Sequence, residues 1–271
     1  MDDLARFNKE RWEELAGEGI LYSRPLLNLD EVAAWYVVDE EHVLRDRNVT
    51  VRGRDVLCLA SGGGQQSAAF GILGSNVTVL DITENMLRND RLVAEHYGLD
   101  IRVEQGDMRD LSRFDDDSFD IVWQAFSINF IPSTKEVFDE ATRVLRPGGY
   151  FRTMFHNPIV KGVGNEEWTG DSYPIRGPYL DGARITWNDD IWEFTDGQKR
   201  KKIVKGPQEF LHTLSTVING LIARGHLMLG IYEHLNHEKD PEPGSWEHLK
   251  SWAPPWLTTW TQYRPDRSTG E

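Results

Sequence analysis

The stretch from Asp55 to Asp81 constrains the fold of this chain more than any other part of the sequence. Three consecutive glycines, Gly62 to Gly64, stand between two short apolar runs at 56–59 and 77–80. Both runs contain β-branched residues, the pattern of strands that are buried on both faces of a parallel sheet. The segment 65–73 has the length and composition of a crossover helix. The sequence therefore predicts a strand, a glycine turn, a helix and a second strand.

The glycines and Asp81 together indicate a nucleoside site. Successive glycines cost backbone entropy, and they suit a turn with unusual φ angles or a ligand that lies against bare backbone. The helix that follows offers unpaired N–H groups at its positive end. Asp81 ends the second strand, where a carboxylate can accept hydrogen bonds from two ribose hydroxyls. The alternative is a tight turn with Asp81 as a helix cap; we favour the nucleoside site because a turn alone does not need both features.

Strand and helix patterns alternate through the middle of the chain. Further strand patterns occur at 101–104, 119–123 and 150–155, with helical segments between them. Such alternation predicts a doubly wound, Rossmann-like α/β sheet with right-handed crossovers. Two later strand patterns, at 226–232 and 256–263, bring the expected total to seven strands in one domain.

The first 50 residues predict a helical cap on this core, which spans 51–156. One amphipathic helix ends by Gly17, and Asp30 caps a second. The segment between these helices has an extended pattern with an aromatic ring, a hydroxyl and a guanidinium in succession. It is either a packed linker or a flap over the nucleotide site, and two of its side chains could meet a ligand carboxylate: Tyr22 and Arg24.

The chain beyond the core predicts a lid and a C-terminal unit. Residues 157–206 are rich in glycine, proline and short aromatic strands, which predicts a β-hairpin insertion that covers the site. In the unit at 207–263, Pro207 opens a helix with a polar stripe that begins at His212. A polar loop at 236–245 precedes the last strand.

Composition and charge argue against several classes of protein. The 271 residues are 39% hydrophobic, and 44 acidic against 30 basic residues give a net charge of -14. This charge opposes binding to nucleic acid, and the basic run at 199–202 predicts only a solvated turn. No apolar run approaches the roughly 18 residues of a membrane span, and the acidic start lacks signal-peptide features. We expect a cytoplasmic protein with neither nucleic acid nor membrane as a partner.

Cysteine and histidine patterns predict no metal site. The single cysteine, Cys58, lies in the first buried strand, which leaves no disulfide framework and no cysteine cluster. Three histidines with two nearby glutamates match no recognised ligand spacing. They are His234, His237, His248, Glu233 and Glu238.

Four segments resemble the motifs of the class I S-adenosylmethionine-dependent methyltransferases. They are V-L-C-L-A-S-G-G-G at 56–64, T-V-L-D-I at 78–82, G-D-M at 106–108 and V-L-R-P-G-G at 144–149. Each is weak alone, but their order and spacing are fairly specific. The resemblance implies a mostly parallel sheet with an antiparallel last strand, S-adenosylmethionine as cofactor, and methyl transfer to oxygen, nitrogen or carbon of a small-molecule acceptor. The helical cap and lid are similar to those of small-molecule methyltransferases.

The resemblance also implies roles for individual residues. Asp81 would hold the ribose, and Ile82 and Met108 would pack on adenine. Asp107 would accept a hydrogen bond from the adenine amino group, and Gln124 would follow the fourth strand into the site. The residues implied at the methionine half and the adjoining helix start are Ala60, Ser61, Gly62, Gly64 and Gln65.

Two positions depart from the family pattern. Cys58 stands where the family often has an acid, so a carboxylate that would help to organise the cofactor end is missing. Ala60 replaces the first glycine of the motif.

Methyl transfer from a sulfonium needs alignment and desolvation more than covalent chemistry. A hydroxyl acceptor would profit from a general base, for which His156 after the fifth strand and His212 are candidates. Either histidine could instead have a structural role. Aromatic residues of the insertion could wall the acceptor pocket: Trp168, Tyr173, Trp187 and Trp192.

Two other functions stay open at this point. The segment 62–67 nearly matches the G-x-G-x-x-G pattern of NAD(P)-dependent oxidoreductases, but it lacks the third glycine. A regulator that binds S-adenosylmethionine without turnover is the second alternative, and Cys58 is its support. The oligomeric state is unknown from sequence.

Overall fold

The computed structural model describes residues 1–161, 163–186, 191–195, 200–234 and 238–265. In chain order, the strands within these ranges are β1 (Asp55–Leu59), β2 (Asn76–Asp81), β3 (Ile101–Gln105), β4 (Phe119–Gln124), β5 (Leu145–His156), β6 (Arg184–Ile185), β7 (Ile191–Thr195), β8 (Lys201–Lys205), β9 (Glu209–Phe210), β10 (His226–Glu233) and β11 (Trp256–Tyr263).

The helices surround this set of strands. They are α1 (Asp3–Gly17), α2 (Glu31–Val38), α3 (Val43–Asp46), α4 (Gln66–Ile72), α5 (Glu84–Tyr97), α6 (Lys135–Val144), α7 (Leu214–Ile222) and α8 (Trp246–Trp252), with short 3-10 turns at Leu21–Ser23, Phe126–Phe130 and Asn165–Glu167. The predicted cap Asp30 accepts a hydrogen bond from the backbone of Ala33, and Gly98 ends α5 in the left-handed conformation. None of the helices in the described ranges is long and apolar enough to cross a membrane.

Seven strands form one sheet in the order β10-β11-β5-β4-β1-β2-β3. Strands β1 to β5 pair in parallel, whereas β11 runs antiparallel to β5 and β10 antiparallel to β11. The predicted α/β fold with a mostly parallel seven-stranded sheet is confirmed. Because β1 to β5 are parallel, their carboxyl ends meet at one edge, where the glycine loop, Asp81 and His156 follow their strands.

The core has two layers, one on each face of the sheet. Leu57 and Leu59 of β1 belong to the layer that contains residues of α6 and α7. Val56 and Cys58 point to the opposite layer, which contains residues of α2, α4 and α5. All four side chains are fully buried. The unbroken apolar run of β1 is thus explained by burial on both faces.

The insertion contains the predicted hairpin, and a further strand of the insertion pairs outside this hairpin. β7 pairs antiparallel with β8, and β6 pairs with β9 from beyond the insertion. The solvated turn predicted at 199–202 is wrong for Lys201 and Lys202, which lie in β8. The Nζ atom of Lys201 is 2.6 Å from a carboxylate oxygen of Glu193 on β7, so an ion pair holds it within the hairpin. Lys199 lies outside the described residues.

The helix predicted to open at Pro207 begins instead at Leu214. Residues of β9 form sheet hydrogen bonds, and Thr213 caps α7 by accepting a hydrogen bond from the backbone of Thr216 at 3.2 Å. His212 therefore precedes the helix, and the polar stripe predicted from it is wrong. Competition from the β6–β9 pairing explains the late start of the helix.

Three smaller differences concern segment type. Residues Leu21–Ser23 form a 3-10 turn where the sequence predicted an extended segment. β5 spans Leu145–His156, whereas the sequence predicted a strand only at 150–155. α8, which the sequence analysis did not identify, starts where Ser245 accepts a hydrogen bond from the backbone of His248.

Candidate cofactor and acceptor site

The loop after β1 takes backbone conformations that favour glycine. Gly63 and Gly64 have φ angles of 120° and 76°, and Ala60 has a φ of 46°. A Cβ atom on Gly62 would lie 2.7 Å from Cβ of Met86 and 3.0 Å from Cγ of Asp81. Glycine is therefore required here both by the backbone conformation and by the close packing of the loop on Met86 and Asp81.

Asp81 lies directly against this loop. Its Oδ2 atom accepts a hydrogen bond from the Gly62 N–H at 3.0 Å. Its Oδ1 atom accepts from the backbone nitrogen and the hydroxyl of Thr83, at 2.9 and 2.8 Å. Burial raises the pKa of Asp81, against the lowering effect of these hydrogen bonds. The first N–H groups of α5 donate to acceptors other than Asp81. Capping of this helix alone therefore does not explain the position of Asp81.

Asp90 is a residue of this region that the sequence analysis missed. It is fully buried on α5, where its two carboxylate oxygens accept hydrogen bonds from the N–H groups of Gly63 and Gly64, both at 3.1 Å. The Ser67 hydroxyl donates to the same carboxylate at 2.6 Å. Burial is the main cause that raises the pKa of Asp90 to about 7. A signal was available, because Asp90 falls three residues after Leu87 on the apolar face of α5.

The ends of β1 and β4 are joined at the site by Ser61. Its hydroxyl donates to the Leu59 carbonyl at 3.2 Å and accepts from the Ala125 N–H at 3.1 Å. Beside it, Gln124 is fully buried, and its amide donates to the sulfur of Met108 at 3.3 Å. The structure therefore brings together the residues predicted at the carboxyl ends of β1, β3 and β4.

Asp107 lies after β3 in a chain of ionic contacts. Its carboxylate accepts from the guanidinium of Arg109 at 3.0 and 2.6 Å, and Arg109 also contacts Asp2 at 2.7 Å. Ile82 accepts a hydrogen bond at its carbonyl from the Gln105 side chain at 3.1 Å. The roles of Asp107 and Ile82 toward adenine stay predictions.

The segment around Tyr22 lies across the glycine loop. The Gln65 amide donates to the carbonyls of Tyr22 and Arg24 at 3.2 and 3.1 Å, and the Leu26 N–H donates to the Gly64 carbonyl at 3.3 Å. The Arg24 guanidinium donates to the Gly19 carbonyl at 3.0 Å. The segment thus packs on the glycine loop, and its role as a flap over the nucleotide site stays a prediction.

His156 forms a dyad with Glu209 at the end of β5. Its Nε2 atom is 2.5 Å from Oε2 of Glu209, and the two side chains are 12% and 3% exposed. The His156 backbone donates to the Asn129 side chain at 3.1 Å, and the edge of the Phe126 ring meets the imidazole at a centroid distance of 4.6 Å. Glu209 belongs to β9, which returns from the insertion. Sequence reasoning missed Glu209 because it is 53 residues away from His156 along the chain.

His212 is held differently from His156. It is 1% exposed, and its Nε2 atom is 2.9 Å from the Ile128 carbonyl oxygen, so Nε2–H donates to that carbonyl. Its buried Nδ1 has no hydrogen-bond partner within the described part of the chain. Burial lowers the pKa of His212, which keeps the ring neutral. These contacts favour a structural role for His212 and leave His156 as the better-placed base.

The predicted aromatic wall divides into two groups. Trp168 and Tyr173 pack against Trp252 of α8, with centroid distances of 4.9 and 6.0 Å. Trp192 meets the ring of Trp12 on α1 edge to face at 5.7 Å. Trp187 lies outside the described residues.

The C-terminal histidines make hydrogen bonds that serve packing. His248 contacts the Tyr173 hydroxyl at 2.7 Å through Nδ1, and His234 contacts the Thr258 hydroxyl at 2.8 Å. His237 is outside the described residues. Among the residues that are described, no group of three or more histidine, cysteine, aspartate and glutamate side chains could hold a metal ion.

A surface cavity of about 680 Å³ lies at the opposite end of the sheet. Its lining includes Asp55, Asn76 and Asp100, which stand at the amino ends of β1, β2 and β3. It is therefore separate from the site built on the carboxyl ends.

Comparison with known sequences gives matches over the core and over most of the chain. The family described as "Methyltransferase domain" matches residues 57–153. The "Uncharacterized methyltransferase YbaJ" of Bacillus subtilis (strain 168) is 32% identical over 243 residues, which are 86% of this chain and 91% of that protein. The "Demethylmenaquinone methyltransferase" of Clavibacter sepedonicus is 41% identical over 101 residues, 36% of this chain and 40% of that protein.

Solved structures share the fold. An S-adenosylmethionine-dependent methyltransferase from Mesorhizobium loti superposes with a TM-score of 0.61 at 23% identity, over 82% of this chain and 97% of that one. The DhpI–SAH complex superposes with a TM-score of 0.52 at 18% identity, over 97% and 98% of the two chains. At these identities the likeness concerns the fold alone.

Proposed function

The chain belongs to the class I S-adenosylmethionine-dependent methyltransferases, and we propose that it methylates a small-molecule acceptor with His156 as the general base. Methyl transfer and the cofactor S-adenosylmethionine follow from the family. The acceptor class and the site residues are our proposal. The observation that carries it is the buried contact of 2.5 Å between His156 and Glu209 at the carboxyl end of β5.

The residues at the ends of β1 and β2 fit the cofactor. The backbone at Gly62 leaves no space for a Cβ atom, so glycine brings the loop against the side chain of Asp81. Asp81 is buried beside this loop and has a carboxylate suited to ribose hydroxyls. When bound, the cofactor supplies a methyl group on a positively charged sulfur. The chain then has to align the acceptor and exclude water.

Glu209 fixes the form of the His156 ring. A carboxylate only accepts hydrogen bonds, so in the neutral ring Nε2 carries the proton and Nδ1 keeps a lone pair. An acceptor O–H can therefore give its proton to Nδ1 while its oxygen bonds to the methyl group. The positive charge that the ring gains is stabilised by the Glu209 carboxylate. This arrangement favours oxygen over carbon or nitrogen as the methylated atom.

Two aromatic residues border the proposed acceptor pocket. Phe126 packs edge to face on His156. We propose Tyr22 of the flap as the second; burial and then the charge of Glu209 raise its pKa. We propose that the flap and the insertion exclude water from the acceptor. We retain the cytoplasm as the proposed location and exclude nucleic acid as an acceptor because of the charge of -14.

The alternatives are less well supported. The relative that covers most of the chain is a methyltransferase, which disfavours both the oxidoreductase and the regulator without turnover. The quinone-related name of the second relative does not identify the acceptor here, because less than half of either chain is matched.

The test is methyl transfer from radiolabelled S-adenosylmethionine to a panel of phenols, enols, amines and carbon acids. We expect labelled product with hydroxyl acceptors and a loss of 100-fold or more in kcat for His156→Gln, the scale of general-base catalysis of about 10²–10⁴. Binding of S-adenosylhomocysteine should be unchanged. His248→Gln is the matched control, since His248 is also hydrogen-bonded but lies in α8. Full activity of His156→Gln, or product with amines only, would contradict the proposal.

A further inference from the structure

Asp90 occupies an unusual position for a buried carboxylate. It lies in the middle of α5, fully buried, and its hydrogen bonds run to another part of the chain, the glycine loop and the start of α4. Both of its oxygens bond to the N–H groups of consecutive glycines with positive φ, Gly63 and Gly64. It therefore holds Gly63 and Gly64 in their positive-φ conformation.

Cys58 and Asp90 lie on the same side of the sheet. Cys58 points from β1 into the layer that contains residues of α4 and α5. Asp90 is buried on α5 and accepts a hydrogen bond from the Ser67 hydroxyl of α4 at 2.6 Å. Burial and then the negative charge of Asp90 raise the pKa of the Cys58 thiol well above its usual value. The acid that the first motif lacks at position 58 is thus replaced by an acid that reaches the same layer from α5.

We propose that Asp90 supplies from α5 the carboxylate that the first motif lacks at Cys58, and that it is a positioning residue of the cofactor site. The proposal rests on the family cofactor and is independent of the acceptor and of His156.

Stability alone does not explain this carboxylate. Burial of a charged group is costly, and the cost is offset best where an opposite charge pairs with it. Among the described residues, the contacts of the Asp90 carboxylate include no arginine or lysine; they go to two backbone N–H groups and one hydroxyl. The hydrogen bonds of Asp90 therefore hold the loop that we propose to bind the cofactor.

The first experiment measures S-adenosylhomocysteine binding by calorimetry on the full chain and on Asp90→Asn. The asparagine keeps the shape but replaces one acceptor by a donor, so it opposes one glycine N–H. We expect affinity to fall at least tenfold. The matched control is Asp39→Asn, because Asp39 is also fully buried but accepts hydrogen bonds from Leu44 and Arg45 at the start of α3. We expect the control to bind as the original chain does.

The pH profile separates a role in binding from a role in folding. The titratable groups that face Asp90 are Cys58 on β1 and Asp81 at the end of β2. If the ionised form of Asp90 is the one that binds, affinity should fall up to tenfold per pH unit below about 7, the pKa of Asp90. This dependence should be absent in Asp90→Asn and present in Asp39→Asn.

Two further variants test whether a carboxylate at position 58 can replace the one at position 90. Asp90→Ala should lose at least tenfold in affinity, and Cys58→Asp combined with Asp90→Ala should recover affinity to within threefold of the original chain. Unchanged affinity and an unchanged pH profile in Asp90→Asn would overturn the proposal. Equal losses in Asp90→Asn and Asp39→Asn would also overturn it, because they would indicate general destabilisation. If the original chain did not bind S-adenosylhomocysteine at all, the cofactor itself would be in question.

Discussion

The Oε2 atom of Glu13 on α1 lies 2.9 Å from the backbone nitrogen of Asn85, in the first turn of α5. The other oxygen of Glu13 accepts from the Glu84 N–H at 2.7 Å, and the Asn85 side chain donates to the Glu13 carbonyl at 2.9 Å. A residue of the N-terminal helical cap thus accepts hydrogen bonds from the N–H groups at the start of the helix that follows Asp81. The N-terminal helical cap is thus joined to the helix that carries Asp90.

We expect Glu13→Ala to destabilise the fold by about 1 kcal/mol, the typical contribution of a helix cap. The reason is that two N–H groups of α5 lose their acceptor. Urea unfolding monitored by circular dichroism measures the change. Glu14→Ala is the control, since Glu14 is exposed and pairs with Arg11 of the same helix at 3.0 Å. A loss as large in the control would show that the cap on α5 is not the cause.

We expect Asp81→Asn to weaken S-adenosylhomocysteine binding by tenfold or more. The asparagine cannot accept hydrogen bonds at both positions, and the Gly62 N–H loses its charged acceptor. Calorimetric titration measures the affinity. Asp55→Asn, at the amino end of β1, is the control at the opposite edge of the sheet. Unchanged affinity in Asp81→Asn would refute the ribose assignment.

A buried ion pair joins the N-terminal helical cap to strand β5 of the sheet. Arg152 of β5 contacts Glu41 at 3.0 Å, and Trp260 of β11 donates to the other Glu41 oxygen at 3.0 Å. We expect Glu41→Ala to cost about 3–5 kcal/mol, because the arginine would be left buried without its partner. Urea unfolding of the variant measures this loss. A cost below about 1 kcal/mol would contradict it.

The same pair predicts how stability depends on pH. Burial raises the pKa of Glu41, but Arg152 and Trp260 outweigh this effect and lower it overall. A carboxyl whose pKa is lower in the folded state stabilises above its unfolded pKa, and this contribution disappears as pH falls through the folded pKa. We expect the original chain to lose stability more steeply below about pH 4.5 than Glu41→Gln does. Parallel slopes in the two chains would contradict this expectation.

The fold and the glycine loop were predictable from sequence because local patterns determine them. The strands of the sheet show apolar or alternating runs, and the turn at Gly62 is marked by composition. The start of α7 was not predictable. Phe210 is apolar and fits the spacing of a helix, yet it pairs with Arg184 across a sheet. Asp90 and Glu209 were missed for a related reason. Their roles depend on contacts between segments that are distant in sequence. The place of Asp90 on the apolar face of α5 was a local sign of burial, but it did not reveal the partners of the carboxylate.

The dyad at the end of β5 gives the sharpest test of the acceptor chemistry. We expect Glu209→Gln to lower kcat by about 10-fold or more, because the glutamine amide no longer fixes the proton on Nε2 of His156 or stabilises the charged ring. S-adenosylhomocysteine affinity should not change, since neither side chain belongs to the proposed cofactor set. Activity needs an ionisable acceptor, so the assay uses a hydroxyl substrate from the panel.

Combining the two substitutions distinguishes a dyad from two independent residues. If Glu209 acts through His156, the variant with both His156→Gln and Glu209→Gln should be no slower than His156→Gln alone. Losses that multiply would show that Glu209 contributes separately, for example by contact with the acceptor. The measurement is kcat at saturating cofactor for the four chains of the cycle. Their unfolding midpoints provide the control, because a folding defect would lower stability and activity together.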